Sequence, residues 1–172
     1  MKPVIIEPKE IVMAGMSFFG DPFDTHAGWD EDNQIGQLWK RLSAFLENHP
    51  EVKGLLNRSE WYEVHLYGPE TNEKGLFEIF VGVDFDLNRI SELPADLLLK
   101  HLPATQYAVF TLSGIQISSD WEKMVMDWMP EAGYESGGNF GLQLYDERFK
   151  GVNRMDESVL DVYIPIKKKQ SA

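Results

Sequence analysis

Between Trp61 and Phe85 the sequence sets acid, imidazole and aromatic side chains at strand spacing. Trp61, Glu63, His65 and Tyr67 alternate with Tyr62, Val64 and Leu66, so a strand puts the two sets on opposite faces. Turn residues Gly68, Pro69, Asn72 and Gly75 follow. A second alternation then puts Phe77, Ile79, Val81, Val83 and Phe85 on one face, and Leu76, Glu78, Phe80, Gly82 and Asp84 on the other. A symmetric turn would set Glu63 opposite Phe80 and His65 opposite Glu78. Carboxylates among aromatic rings can hold an apolar cation. The same groups can do acid–base chemistry, with Glu63 or Glu78 as base and His65 or Tyr145 as acid. An ordinary solvent face of amphipathic side chains gives this pattern too.

The flanking elements decide where such a face would sit. Extended segments over 2–8 and 11–19 are broken by Pro8 and followed by a polar loop over 21–33. Ile35, Leu38, Trp39, Leu42, Phe45 and Leu46 fall on one helical stripe, which predicts a helix from Gln34 to His49. Asp32 or Asn33 caps it and Pro50 ends it. The hairpin comes next. Leu97, Leu98 and Leu99 suit a helical turn after Pro94. A further strand spans 104–114. Ser119-Asp120-Trp121-Glu122 is a capping-box pattern, opening a helix with Trp121, Met124, Val125, Trp128 and Met129 on one stripe up to Pro130. Strands over 139–145 and 159–166 close the chain.

This order is strand, helix, strand, strand, stated twice. It defines one domain over 1–172, with pseudo-repeats of about 1–86 and 103–167 and a flexible tail at 168–172. Trp61 to His65 falls near Gly141 to Tyr145. The later strands show the same asymmetry: Leu142 and Leu144 against Gln143 and Tyr145, then Leu160, Val162, Ile164 and Ile166 against Asp161 and Tyr163. Trp61, Glu63, His65, Glu78, Phe80, Tyr107, Gln143, Tyr145 and Tyr163 would thus share a face that the helices leave bare. Clustered exposed aromatics point to a binding site.

Composition limits the function classes. The net charge of −12 disfavours a nucleic-acid surface, which needs lysine and arginine, and favours the approach of cations. There is no cysteine, hence no disulfide and no thiolate site. The four histidines lack metal-ligand spacing, and no phosphate-binding glycine loop occurs. No cofactor and no metal are expected. The N-terminal stretch is too charged for a signal peptide, and no apolar run reaches membrane-spanning length. A cytoplasmic protein, not membrane-bound, is the expectation.

Several stretches carry a family resemblance. Pro103 to Phe110, Gly114, Trp121, Trp128-Met129-Pro130, Gly133-Tyr134, Leu144-Tyr145-Asp146, Arg148-Phe149 and Asp161 to Ile166 together resemble the GyrI-like effector-binding domain. This is the ligand-sensing module of AraC-type and MerR-type multidrug-responsive transcription regulators. Ile35 to Trp39 and Phe77 to Val83 agree with it in the first half. The resemblance implies an α+β, SOUL-like duplicated βαββ fold: an antiparallel sheet with two long helices on one face and a ligand groove on the other. It implies binding of hydrophobic cationic molecules, for sensing or sequestration. In several members a buried Glu precedes the aliphatic-Tyr-Asp triplet and pairs with the ligand charge. Here that position is Gln143, and the repeat offers Glu63 as its counterpart, with Glu78 nearby. The resemblance covers no DNA-binding part, so a stand-alone member is expected, with a separate DNA-binding regulator as a conceivable partner. Some stand-alone members act as hydrolases of strained electrophiles, which is the alternative function; no catalytic residue is assigned otherwise.

Overall fold

The computed structural model describes residues 2–26, 28 and 30–169, with the side chains of all these except 57–59. In chain order the elements are β1 (Val4–Gly20), α1 (Gln34–Asn48), the single turn α2 (Pro50–Lys53), β2 (Leu56–Leu66), the short α3 (Pro69–Lys74) and β3 (Phe77–Phe85). A 3-10 turn (Leu87–Glu92) leads to β4 (Leu98–Ser113), α4 (Trp121–Glu131), β5 (Tyr134–Ser136), β6 (Phe140–Tyr145) and β7 (Val159–Lys168). The described pairings are all antiparallel.

The two long helices, α1 and α4, begin on a side-chain cap. Asn33 Oδ1 accepts from Gly36 N at 2.9 Å, and Asp120 Oδ1 accepts from Lys123 N at 3.3 Å. The cap of α4 is thus Asp120 rather than Ser119. Gly36 is needed where it stands: a Cβ there would lie 2.3 Å from the Glu31 carbonyl oxygen, so the preceding loop could not close onto α1. Pro8 does not break β1. Its missing N–H is absorbed where the β1–β4 register shifts around Lys9. β4 starts at Leu98, so Leu98 and Leu99 are strand residues and not a helical turn.

The repeat is visible in the pairing. Within the first half the strand order is β1-β3-β2, and within the second β4-β7-β6. The halves join twice, β2 to β6 and β1 to β4. Because β4 pairs with both β1 and β7, six strands close into a ring, with β5 added along β7.

Closure gives the sheet two apolar faces instead of one. The interior packs Met13, Tyr62, Val64, Phe80, Tyr107 and Leu142 together. On the outside, α1 lays Leu38, Leu42 and Leu46 over Ile79, Val81 and Val83, while α4 lays Val125 and flanking aromatics over Ala108 and Phe110. Each helix covers its own half. The outer face of the β2–β6 seam lies between them and is left open. The cleft therefore opens on the helix-bearing face, between the two helices; the opposite face, expected to be the groove, is the ring's interior. Alternation along a strand is the same in a half-exposed sheet and in a closed one, so it does not distinguish them.

Candidate functional site

The hairpin register moves the chemistry by one residue. The turn holds α3, and the pairing sets Glu63 opposite Val81 and His65 opposite Ile79, not opposite Phe80 and Glu78. Trp61, Glu63 and His65 consequently point outward with the aliphatic face of β3, under the helices. Across the seam Trp61 faces Tyr145, Glu63 faces Gln143 and His65 faces Gly141. Only the central pair, Glu63 with Gln143, coincides with the correspondence of the sequence repeat; the antiparallel seam exchanges the partners of Trp61 and His65.

The cleft has a volume of about 900 Å³. Its floor is Glu63, His65, Gln143 and Tyr145; one wall is α1 with Ile35, Trp39 and Ser43; the other is the start of α4 with Trp121 and Glu122. Phe23 and Phe149 reach in from loops, and Trp61 completes the aromatic lining.

Glu63 is the centre of this arrangement. It is 4 % exposed, a buried carboxylate at the bottom of an open cavity. Trp39 Nε1 donates to its Oε2 at 2.7 Å, and the Tyr145 hydroxyl reaches the same oxygen at 3.4 Å. Its Oε1 lies 2.8 Å from His65 Nε2. The Tyr145 hydroxyl donates to Gln143 Oε1 at 2.7 Å. Burial first, and then the nearby Glu63 charge, push the Tyr145 phenol well above its ordinary range, so it stays a neutral donor. Trp39 also packs edge-on to Tyr145 with ring centroids 5.4 Å apart, and Tyr145 packs edge-on to Phe149 at 4.8 Å. Tyr67 is pushed up to about 12 by burial and then by Glu122 and Glu63.

Five of the nine residues expected to bind ligand thus come together: Trp61, Glu63, His65, Gln143 and Tyr145. The other four do not join them. Phe80 and Tyr107 are wholly buried inside the ring, and Tyr163 packs against that same interior, 5.8 Å from Tyr107 by ring centroid. Glu78 pairs with Lys100 at 2.8 Å, and that ammonium sits 5.6 Å over the Phe80 ring. The reason is the closed sheet, which sends every second residue inward. Trp39 was missed as a site residue because it lies on the apolar stripe of α1; the signal was its indole N–H, a donor with no use in a purely apolar contact. Trp121 was hidden in the same way on the stripe of α4, and Phe149 and Phe23 lie in loops without periodicity.

Among the described residues no group of three or more His, Asp or Glu could hold a metal ion, and no helix is long and apolar enough to cross a membrane.

Residues 4–166 match the family described as integron-associated effector binding protein. The chain belongs to this GyrI-like family. It is 30 % identical over 165 residues to the transcriptional regulator BrlR of Pseudomonas aeruginosa, a match covering 94 % of this chain and 54 % of BrlR. The chain therefore spans about half the length of that relative. Its fold is similar to that of EcmrR in a complex with DNA, at TM-score 0.66 and 14 % identity over 98 % of this chain and 58 % of that one. It is also similar to SAV2435 bound to tetraphenylphosphonium, at TM-score 0.63 and 13 % identity over 97 % and 94 %. The α+β effector-binding fold that the sequence resembles is thereby established for this member.

Proposed function

We propose that this family member binds bulky hydrophobic cations in the cleft between α1 and α4, as a sensing or sequestering protein. The observation that carries the proposal is Glu63: a buried carboxylate at the floor of a cavity of about 900 Å³ walled by tryptophan, tyrosine and phenylalanine. An aromatic wall contributes ~0.5–2 kcal/mol per well-placed ring to a cation, in addition to apolar burial. The carboxylate supplies selectivity, because covering it with a neutral ligand removes its water without giving a counter-charge. The overall charge of −12 favours the approach of cations and disfavours nucleic acid. That SAV2435 has been seen with tetraphenylphosphonium makes this cation the natural probe.

Calorimetric titration of tetraphenylphosphonium and of neutral triphenylphosphine oxide tests the reading. Wild type should prefer the cation, and Glu63→Gln should weaken the cation by about tenfold or more while leaving the neutral compound nearly unchanged. Equal binding of both compounds by both proteins would sink it.

A second reading rests on the 2.8 Å contact between Glu63 and His65 beside the Tyr145 hydroxyl. A base, an imidazole and a neutral phenol in one apolar cleft could open a strained electrophile with water. Incubation with a cyclopropane-bearing electrophile, followed by mass spectrometry, should then give a product that Glu63→Gln does not form. Stoichiometric binding without product rejects the hydrolase and leaves the binder.

A further inference from the structure

We infer that His65 is a specificity-determining residue of the cleft: its proton and a ligand cation compete for the Glu63 carboxylate, so cation binding expels a proton. The inference rests on the cleft being a cation site.

Glu63 has two oxygens and they are not equivalent. Oε2 accepts from a neutral donor, the Trp39 indole at 2.7 Å, and the Tyr145 hydroxyl lies 3.4 Å from it with its proton on Gln143. Oε1 meets a group that can carry positive charge, His65 Nε2 at 2.8 Å. The His65 side chain is 14 % exposed and that of Glu63 is 5 % exposed, so water screens the pair weakly.

Among the described residues neither partner meets another oppositely charged side chain. Gly141 lies opposite His65 on β6 and Ile79 opposite it on β3, and neither side chain titrates. The Phe77 and Tyr67 rings pack beside the imidazole at 5.4 and 6.5 Å. The remaining charged groups of the cleft are Asp30, Glu31, Glu47, Asp120, Glu122 and Lys40, from the loop before α1, from α1 and from the start of α4. Lys40 is drawn to Glu31 and Asp32 at 3.8 and 3.2 Å.

Two charge states follow. A neutral imidazole donates its Nε2 proton to Glu63 and leaves a net negative floor, which attracts a cation. A protonated imidazole makes a neutral ion pair, and an arriving cation then meets a like charge beside its carboxylate. Loss of one proton from His65 is therefore coupled to entry of a cation, and by reciprocity acid weakens cation binding. A neutral ligand lacks this coupling. Glu63 acts on the ligand directly, and His65 sets when it can.

The test is calorimetry of tetraphenylphosphonium in buffers of different ionisation enthalpy, from pH 5.5 to 8, on wild type and His65→Gln. For wild type the heat should depend on the buffer with the sign of proton release. The affinity should fall up to about tenfold per pH unit on the acid side. His65→Gln, which keeps a neutral donor, should bind with buffer-independent heat across this range and should exceed wild type at pH 5.5. A merely structural role would weaken cation and neutral compound alike at every pH. Wild-type binding without proton release, or an unchanged pH profile in His65→Gln, overturns this inference and leaves the cation site standing. Failure of tetraphenylphosphonium to bind at any pH overturns both.

Discussion

Glu63 and Gln143 face each other across the β2–β6 seam, at the point where the two halves of the chain meet as counterparts. The Tyr145 hydroxyl donates to Gln143 at 2.7 Å and reaches Glu63 only at 3.4 Å. A symmetric fold thus carries an asymmetric pair, one carboxylate and one amide. The amide can sit beside the charge at no electrostatic cost and can accept the tyrosine proton. A second carboxylate there could not stay ionised cheaply.

Gln143→Glu should expose this. Two facing buried carboxylates raise the pKa of at least one above its unfolded value. A raised folded-state value favours the protonated native protein, so stability is kept in acid and lost as pH rises. The variant should match wild type near pH 4 and fall below it by ~1–3 kcal/mol near pH 8 in urea denaturation. A deficit independent of pH would mean that packing, not charge, is disturbed.

Arg148 ties the β6–β7 loop to the ring. It forks onto Asp146 at 2.7 and 2.9 Å and reaches Asp161 at 2.6 Å, whose other oxygen accepts from Thr111 at 2.6 Å. This places the neighbouring Phe149 against Tyr145. Hydrogen bonds from Arg148 hold the Asp146 carboxyl below its ordinary range. A depressed value contributes stability above the unfolded pKa and loses it as pH falls. Arg148 is 41 % exposed, so water screens the pair: Arg148→Met should cost about 0.5–1 kcal/mol at pH 7, and the gap to wild type should close towards pH 3. A gap that is constant with pH would remove the electrostatic account.

Both helices, their stripes and most strands were legible because they rest on local rules. Leu38, Leu42 and Leu46 recur at helical spacing, and the strand residues alternate. The duplicated order was legible for the same reason. Ring closure was not, because the β4–β7 and β1–β4 pairings depend on contacts far apart in sequence. That single unknown decided the site. It sent Phe80 and Tyr107 inward and brought Trp39 over Glu63. The hairpin register failed for a local reason: α3 fills the turn, and a slip of one residue reverses every side chain. The outward set on β2 survived because it depends only on alternation within one strand.

Tyr107 separates interior from cleft. Its hydroxyl is buried and has no hydrogen-bond partner among the described residues, and burial pushes the phenol up to about 12. Tyr107→Phe removes a polar atom from an apolar interior with little change of shape. It should leave stability unchanged or raise it by about 1 kcal/mol. Tetraphenylphosphonium affinity should not move, since the ring is walled off from the cleft. A marked loss of affinity would return Tyr107 to the binding site.

Trp39 offers the sharpest measure of the Glu63 charge. Its indole donates at 2.7 Å to a carboxylate that is 4 % exposed. Hydrogen bonds to buried charges are worth more than those between neutral groups, because the charge has surrendered its water. Trp39→Phe keeps an aromatic ring against Trp61 and Tyr145 but deletes the donor. It should cost ~1.5–3 kcal/mol of stability at pH 7, above any packing loss. In the Glu63→Gln background the acceptor is neutral, and the same substitution should cost ~0.5–1.5 kcal/mol. The difference between the two costs is the coupling, which a double-mutant cycle by chemical denaturation isolates. A coupling under about 0.5 kcal/mol would mean that Glu63 is already neutral in the ligand-free protein. The cleft would then select hydrophobic shape rather than positive charge.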